Sequence, residues 1–281
     1  MSLTANQITN IDGFPKAAEL IEIAGAHALE ASDRAIFNQL LQIAHDSERL
    51  AEAEAEWEIS LAVLRGSSRH ESNDRVRESL RRLRRTEVKV TYVSSRTGKR
   101  RVMETHLLEF TDTDEEASSD ATVQFGIPKR LRQVLARSNR WGRIRCEVAY
   151  AMTSKYAIAL YELICLRANR EHCVEVFSYA RFRDLLGVPP GAYERGLDFH
   201  RKVVEPALLE VNGLSDIGVN LELRRRHARA PIHEIAISWW RKSGDEFRAA
   251  LEERNRSKVG RMARLRGEMD EAKPIGILLA E

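Results

Sequence analysis

The groups best equipped for chemistry in this chain are guanidiniums, and their spacing suits holding a polyanion rather than making or breaking bonds. Arg224-Arg225-Arg226-His227-Ala228-Arg229-Ala230-Pro231 sits between two runs of alternating apolar residues, as the tip of a hairpin would. Just upstream, Arg195, Arg201 and Lys202 share the polar side of a helical pattern running from Tyr193 to Val211. The earlier half repeats this pairing. Arg81, Arg82 and Arg85 lie along one helical face, and Arg96 and Lys99 fall in the turn Ser95-Arg96-Thr97-Gly98-Lys99. Arginine forks fit phosphate oxygens and guanine edges, so the helix arginines are expected to reach bases and the hairpin arginines to follow the backbone or minor groove. Ser154 and Lys155 open a further helix, where free N–H groups and the helix dipole favour a phosphate. Taken singly, each is as well read as an ordinary solvated charge as a DNA contact. Their coincidence with third helices and hairpin tips is what points to double-stranded DNA.

Catalytic chemistry has little to stand on. Gly98-Lys99 is followed by Arg100 and lacks the leading glycine of a GxxxxGK[ST] phosphate loop. No two histidines are separated by a single residue to hold a metal beside a nucleophilic tyrosine, and Tyr156 and Tyr161 fall at core positions. Neither an enzyme nor a cofactor is expected. Cys146, Cys165 and Cys173 lack CxxC spacing, so buried or reduced thiols are expected rather than a metal site, despite His172 beside Cys173. The longest apolar stretch, around Tyr156 to Leu166, is interrupted by Glu162 and too short to span a bilayer. A soluble protein of the cytoplasm, away from membranes, is the expectation.

The elements that must position the arginines can be read in order. Thr153 to Ile164 has hydroxyls for an N-cap, with Ile158, Tyr161, Leu163 and Ile164 at helical spacing. A short helix spans Tyr179 to Leu186, stopped by Gly187 and Pro189. The third helix places Leu197, Val204, Leu208 and Val211 on one face. Ile217, Val219, Leu221 and Leu223, then His233, Ile235, Ile237 and Trp239, alternate as two strands. Helix, helix, helix, hairpin is the order of a winged helix-turn-helix. The order occurs earlier as well. A helix from Ser32 carries Leu40, Leu41 and Ile43, and Ser67 to Arg85 carries the stripe Val76, Leu80, Leu83. Val88, Val90 and Tyr92 then form a strand that returns from Arg100 to Phe110.

The expectation is therefore an α+β protein of two tandem winged helix-turn-helix domains, at residues 16–138 and 139–245, with a basic C-terminal tail at 246–281 that is helical or disordered. Residues 1 to about 15 read as a mobile arm and Glu48 to Glu58 as a helical segment. Thr111 to Ala121 reads as a loop, Thr122 to Phe125 as a strand and Pro128 to Ala136 as a short helix. The net charge of +3 says little, but its distribution says more: the first 120 residues are acidic overall, residues 121–245 basic, and 65–101 basic within the acidic half. Leu29, Ile36, Ile43 and Leu50 recur at heptad spacing, which reads first as a core stripe. With the acidic surface, the same stripe makes the first domain the candidate dimerisation module.

With both units laid out, the chain resembles the plasmid replication initiators of the two-winged-helix Rep family over roughly residues 20 to 240. The resemblance rests on Ser154-Lys155-Tyr156-Ala157-Ile158-Ala159-Leu160-Tyr161-Glu162 and on Phe199-His200-Arg201-Lys202-Val203-Val204-Glu205-Pro206-Ala207. In the first unit it rests on Asp33-Arg34-Ala35-Ile36-Phe37-Asn38-Gln39-Leu40-Leu41 and Ser79-Leu80-Arg81-Arg82-Leu83. Pro206, inside a helix where it removes a hydrogen bond, supports the match more than any apolar residue does. The resemblance implies a monomer that binds directly repeated origin sequences (iterons), its second domain reading the major groove. It also implies a homodimer, in equilibrium with the monomer, that represses its own promoter at an inverted-repeat operator. The host's chromosomal initiator ATPase and replicative helicase are implied as partners. The rival readings are a winged-helix transcriptional regulator without a replication role and a scaffold whose winged helices bind protein.

Overall fold

The structure is a computed structural model and describes residues 13–66, 72–114, 120–227 and 230–268. The chain opens on strand β1 (Phe14–Ala17) and a one-turn helix α1 (Ala18–Ile21), then enters the long helix α2 (Ala31–Asp46). The start of α2 is fixed by a reciprocal cap between Glu30 and Asp33, and its apolar face, including Ile36, Phe37, Leu40 and Leu41, is buried. Strand β2 (Trp57–Ser60) and the short helix α3 (Leu61–Leu64) lead to α4 (Asn73–Arg85), the third helix of the first unit. Ser72 caps α4, Asp74 lies in its first turn and Arg82, Arg84 and Arg85 in its last, all matched to the helix dipole. The wing is the antiparallel ribbon β3 (Glu87–Val93) with β4 (Arg100–His106). Strands β5 (Phe110–Thr113) and β6 (Thr122–Gly126) complete a three-stranded sheet in the order β2-β6-β5.

Helix α5 (Lys129–Leu135), strand β7 (Trp141–Ile144) and helix α6 (Cys146–Ala151) carry the chain to the second unit, and β7 pairs antiparallel with β1. That unit consists of α7 (Lys155–Cys165), β8 (Val174–Ser178), α8 (Tyr179–Leu186) and a long third helix α9. Helix α9 has three parts, Gly196–Phe199, a π turn His200–Val204, and Glu205–Leu214. The wing strands β9 (Ile217–Arg225) and β10 (Ile232–Arg241) join β8 in the order β8-β10-β9. Gly187 ends α8 at φ 72°, where its missing Cβ removes the steric cost of the left-handed cap. Helices α10 (Gly244–Asn255) and α11 (Arg261–Leu265) follow.

Several expectations need correction. Residues 14 and 15 belong to β1, so only 1–12 of the expected arm lie outside the described residues. Glu48 to Glu56 forms turns and bends and not a helix, although alanine and glutamate favour helix, and Trp57 and Glu58 already belong to β2. The Arg132 guanidinium takes the carbonyls of Glu52 and Ala53 for itself, and Trp57 donates to Ser47 Oγ at 2.7 Å. Tertiary hydrogen bonds outweigh local propensity there. The return strand of the first wing stops at His106, and Phe110 pairs in the other sheet. Leu29, Ile36 and Leu50 are buried and Ile43 packs against the core, so the heptad stripe is the core stripe expected first, and only the dimerisation seam drawn from it falls.

A buried polar contact ties the start of the chain to α7. Lys16 on β1 donates to Asn38 on α2 and to Glu162 on α7, each at 2.8 Å, and Asn38 donates to Glu162 at 2.8 Å. Burial pushes the Lys16 ammonium below its ordinary pKa, against the pull of Glu162. Arg167, also buried, pairs with Glu22 at 2.6 Å and with Glu175 at 2.5 Å. One apolar core runs through both units, from Phe14 to Trp239.

The described part of the tail is helical and docked. Arg261 is buried, donates to Ala151 O at 2.8 Å and contacts Glu253, while Arg264 bonds the same carboxylate at 2.6 Å. Hydrogen bonds from Arg264, with its charge, hold the Glu253 carboxyl below the usual 4.5. A carboxyl depressed on folding stabilises the docked tail above 4.5 and loses that stabilisation as pH falls through its lowered value. Amide exchange in 244–265 should therefore accelerate in acid before the rest of the chain opens. Uniform acceleration over all helices would refute this clamp.

Candidate nucleic-acid interface

Each unit turns an outward face of its third helix away from a sealed inner one. On α4, Val76, Leu80 and Leu83 are buried, and Arg81, Arg84 and Arg85 are exposed. Arg82, expected to meet DNA, instead grips Asp33 of α2 with Nε and Nη2, both at 2.8 Å, and Glu78 at 2.9 Å. The hydrogen bond to buried Asp33 raises its pKa, so Arg82 is spent on joining α4 to α2. Arg84, absent from the candidates that sequence pattern marks, is exposed as well. At the wing turn Arg96 and Lys99 are exposed as expected, and Gly98 takes φ 65°.

Helix α9 explains its own proline. Phe199, Val203, Ala207 and Val211 are all buried, at steps of four residues. In a regular α-helix such steps would drift by roughly 120° between Phe199 and Val211, at about 100° per residue. A π turn adds about one residue to a turn and cancels most of that drift. Pro206 has no N–H to give the carbonyl four residues back, and its ring crowds that carbonyl, so the helix opens at His200–Val204. The π turn keeps Phe199 inside and leaves Arg201 and Lys202 exposed. Of the expected apolar face, Val204 and Val211 are buried, but Leu197 is 65% exposed, on the reading side, and Leu208 is only half-buried. An outward leucine there offers an apolar contact for a thymine methyl.

Around this helix the remaining candidates divide. Arg195 is exposed at the N-cap of Gly196–Phe199. Lys202 Nζ stands 5.7 Å from the Tyr193 ring centre. In the second wing Arg226 is exposed, whereas Arg225 donates to Ala230 O at 2.8 Å across the hairpin. Arg224 pairs with Glu222, and Arg229 lies outside the described residues.

The expected phosphate site at Ser154 and Lys155 is already filled. Buried Glu210 of α9 accepts from the Thr153 and Ser154 N–H groups at 3.0 Å and from the Thr153 hydroxyl, so the start of α7 has its anion built in. Lys155 donates to His27 O at 2.9 Å, a contact across 128 residues of sequence. Burial pushes the Cys146 thiol up to about 12 and the Tyr161 hydroxyl well above its ordinary value, which leaves both groups neutral in the core. Among the described residues no group of three or more His, Cys, Asp or Glu is placed to hold a metal, and no helix is long and apolar enough to cross a membrane.

Two units that each set a third helix beside a basic hairpin define a tandem winged-helix DNA-binding protein. Residues 15–165 match the family model described as Initiator Replication protein, WH1, and residues 178–239 match Initiator Rep protein, WH2. The chain belongs to this family of replication initiators. Its fold is similar to that in the crystal structure of Pi initiator protein in complex with iteron DNA. The TM-score is 0.59 at 12% identity, over 82% of this chain and 97% of that one. A search of the curated protein sequences finds no match.

Proposed function

We propose that the protein starts plasmid replication by binding the direct repeats of its origin as a monomer, with α9 in a major groove and both wings on the flanking backbone. The observation that carries this reading is α9 itself. A π turn holds its inner face in the core while Arg201, Lys202 and Leu197 project outward. The likeness to Pi, solved with iteron DNA, supports repeats as the target. Its action is binding and not catalysis, in the cytoplasm. A homodimer would repress the protein's own promoter at an inverted repeat, and the host initiator ATPase and helicase would be recruited to the bound origin. Family membership supports these partners.

The test is footprinting on the DNA beside the gene, together with retention of a plasmid carrying it. Protected direct repeats whose plasmid is lost without the protein are expected. Protection of an inverted repeat alone, with retention unaffected, would leave a transcriptional regulator. Within the interface, Arg201→Ala and Arg195→Ala should each cost about 1–3 kcal/mol on the true site if the side chain reads a base. Arg226→Ala should weaken all sequences alike. Equal losses on specific and random duplexes for the helix variants would end this division of labour.

A further inference from the structure

Outside both third helices, a charged cleft lies between the first wing and the second unit. Two contiguous hollows of about 600 and 400 Å³ share Glu19, Tyr92, Val93 and Arg137 in their walls. Arg96 and Arg100 line the cleft from the wing, Arg130 and Arg137 from α5, Arg140 from the segment after it, and Arg181 from α8. All six are exposed, and none has a carboxylate within 4.0 Å among the described residues. The two carboxylates in the walls are otherwise engaged: Glu19 accepts from Ser138 Oγ at 2.7 Å, and Glu22 pairs with Arg167.

In this the six resemble the exposed arginines of the third helices and wings, and differ from Arg49, Arg82, Arg167 and Arg264, which are held by acids. Arg130 and Arg181 also sit in the first turns of α5 and α8, where the helix dipole disfavours a cation. Local stability does not account for them there. Arg137 donates to Ser95 Oγ at 2.9 Å, which draws the wing tip against α5 and closes one end of the cleft. Half-buried Tyr92 supplies the aromatic wall.

We propose that this cleft is a third nucleic-acid contact, holding a phosphodiester backbone between the two winged helices. The proposal rests on the replication-initiator reading and adds six arginines, five of them outside the expected DNA contacts. Phosphates would bridge guanidiniums that the protein leaves without counter-charge. The strand would belong either to the bound duplex or to a single strand laid against Tyr92.

The test uses the full chain and its Arg130→Ala/Arg140→Ala/Arg181→Ala variant. Each protein is titrated with an origin-repeat duplex, a random duplex and an oligothymidylate between about 50 and 200 mM salt. The log-log slope on duplex should fall by about 2–3, while the preference for the repeat over random duplex stays unchanged. If only the oligothymidylate slope falls, the backbone is that of a single strand. A variant carrying lysine at the same three positions should keep most of the slope, which separates charge from folding. Unchanged slopes on all three nucleic acids, with the wild type binding normally, would overturn the cleft. A wild type that binds no duplex would instead remove the initiator reading itself.

Discussion

Alanine at Glu162 is expected to destabilise the protein by about 3–5 kcal/mol, the range for removing one partner of a buried ion pair. Glu162 is 1% exposed, and its Oε1 accepts from both Lys16 and Asn38 at 2.8 Å. Without that carboxylate, an ammonium that is only 4% exposed keeps one neutral acceptor. Burial already pushes Lys16 below its ordinary pKa, so it would shed its proton or draw the interface apart. Lys16→Met/Glu162→Leu, which removes both charges, should recover most of the loss. Urea unfolding of the wild type, the single variant and the double variant measures this. A single variant within about 1 kcal/mol of wild type would show that water reaches the pair. Because the contact joins β1 and α2 to α7, the single variant should also unfold less cooperatively, the packing of β1 and α2 on α7 opening first.

Duplex affinity should fall about 1,000- to 100,000-fold between about 50 and 200 mM salt if both units engage, with roughly 6–10 phosphates neutralised. Arg81, Arg84, Arg85, Arg96, Lys99, Arg201, Lys202 and Arg226 are exposed on third helices and wings and are therefore placed to displace counterions. Arg82 and Ser154 contribute nothing to that sum, being engaged with Asp33 and Glu210. A log-log slope near zero would remove DNA as the partner. A slope near half the expected value would mean that one unit binds alone.

Much of the fold was legible because short-range signals agreed with the tertiary outcome. Alternation in Ile217–Arg225 and Ile232–Arg241, and Gly187 after Leu186, placed the second wing and α8 where the structure has them. What escaped depends on partners far away in sequence. Glu210 lies 57 residues from Thr153, and Arg82 lies 49 from Asp33, so no local pattern marks Ser154 or Arg82 as occupied. Strand β8 is hard to read because its in-out alternation runs against residue type, with Val174 and Val176 outward and Glu175 on the inward side with Phe177. Helix α3, at four residues, is too short to show a period. Leu197 falls on the inner face only if α9 keeps a constant turn, and the one local sign, Pro206, says where a helix is disturbed but not which way it rotates.

That rotation has a consequence for anyone transplanting the DNA specificity of this protein. A graft of Leu197, Arg201 and Lys202 onto a regular recognition helix would reproduce their order but not their directions. Anchored on the shared core position Val211, the grafted side chains would point roughly a quarter-turn away from the groove. The transferable unit is therefore the whole stretch from Gly196 through Pro206, with the wide turn carried as part of the reading head. Among relatives, residue-by-residue alignments of reading positions hold only where the proline and its extra residue are both kept.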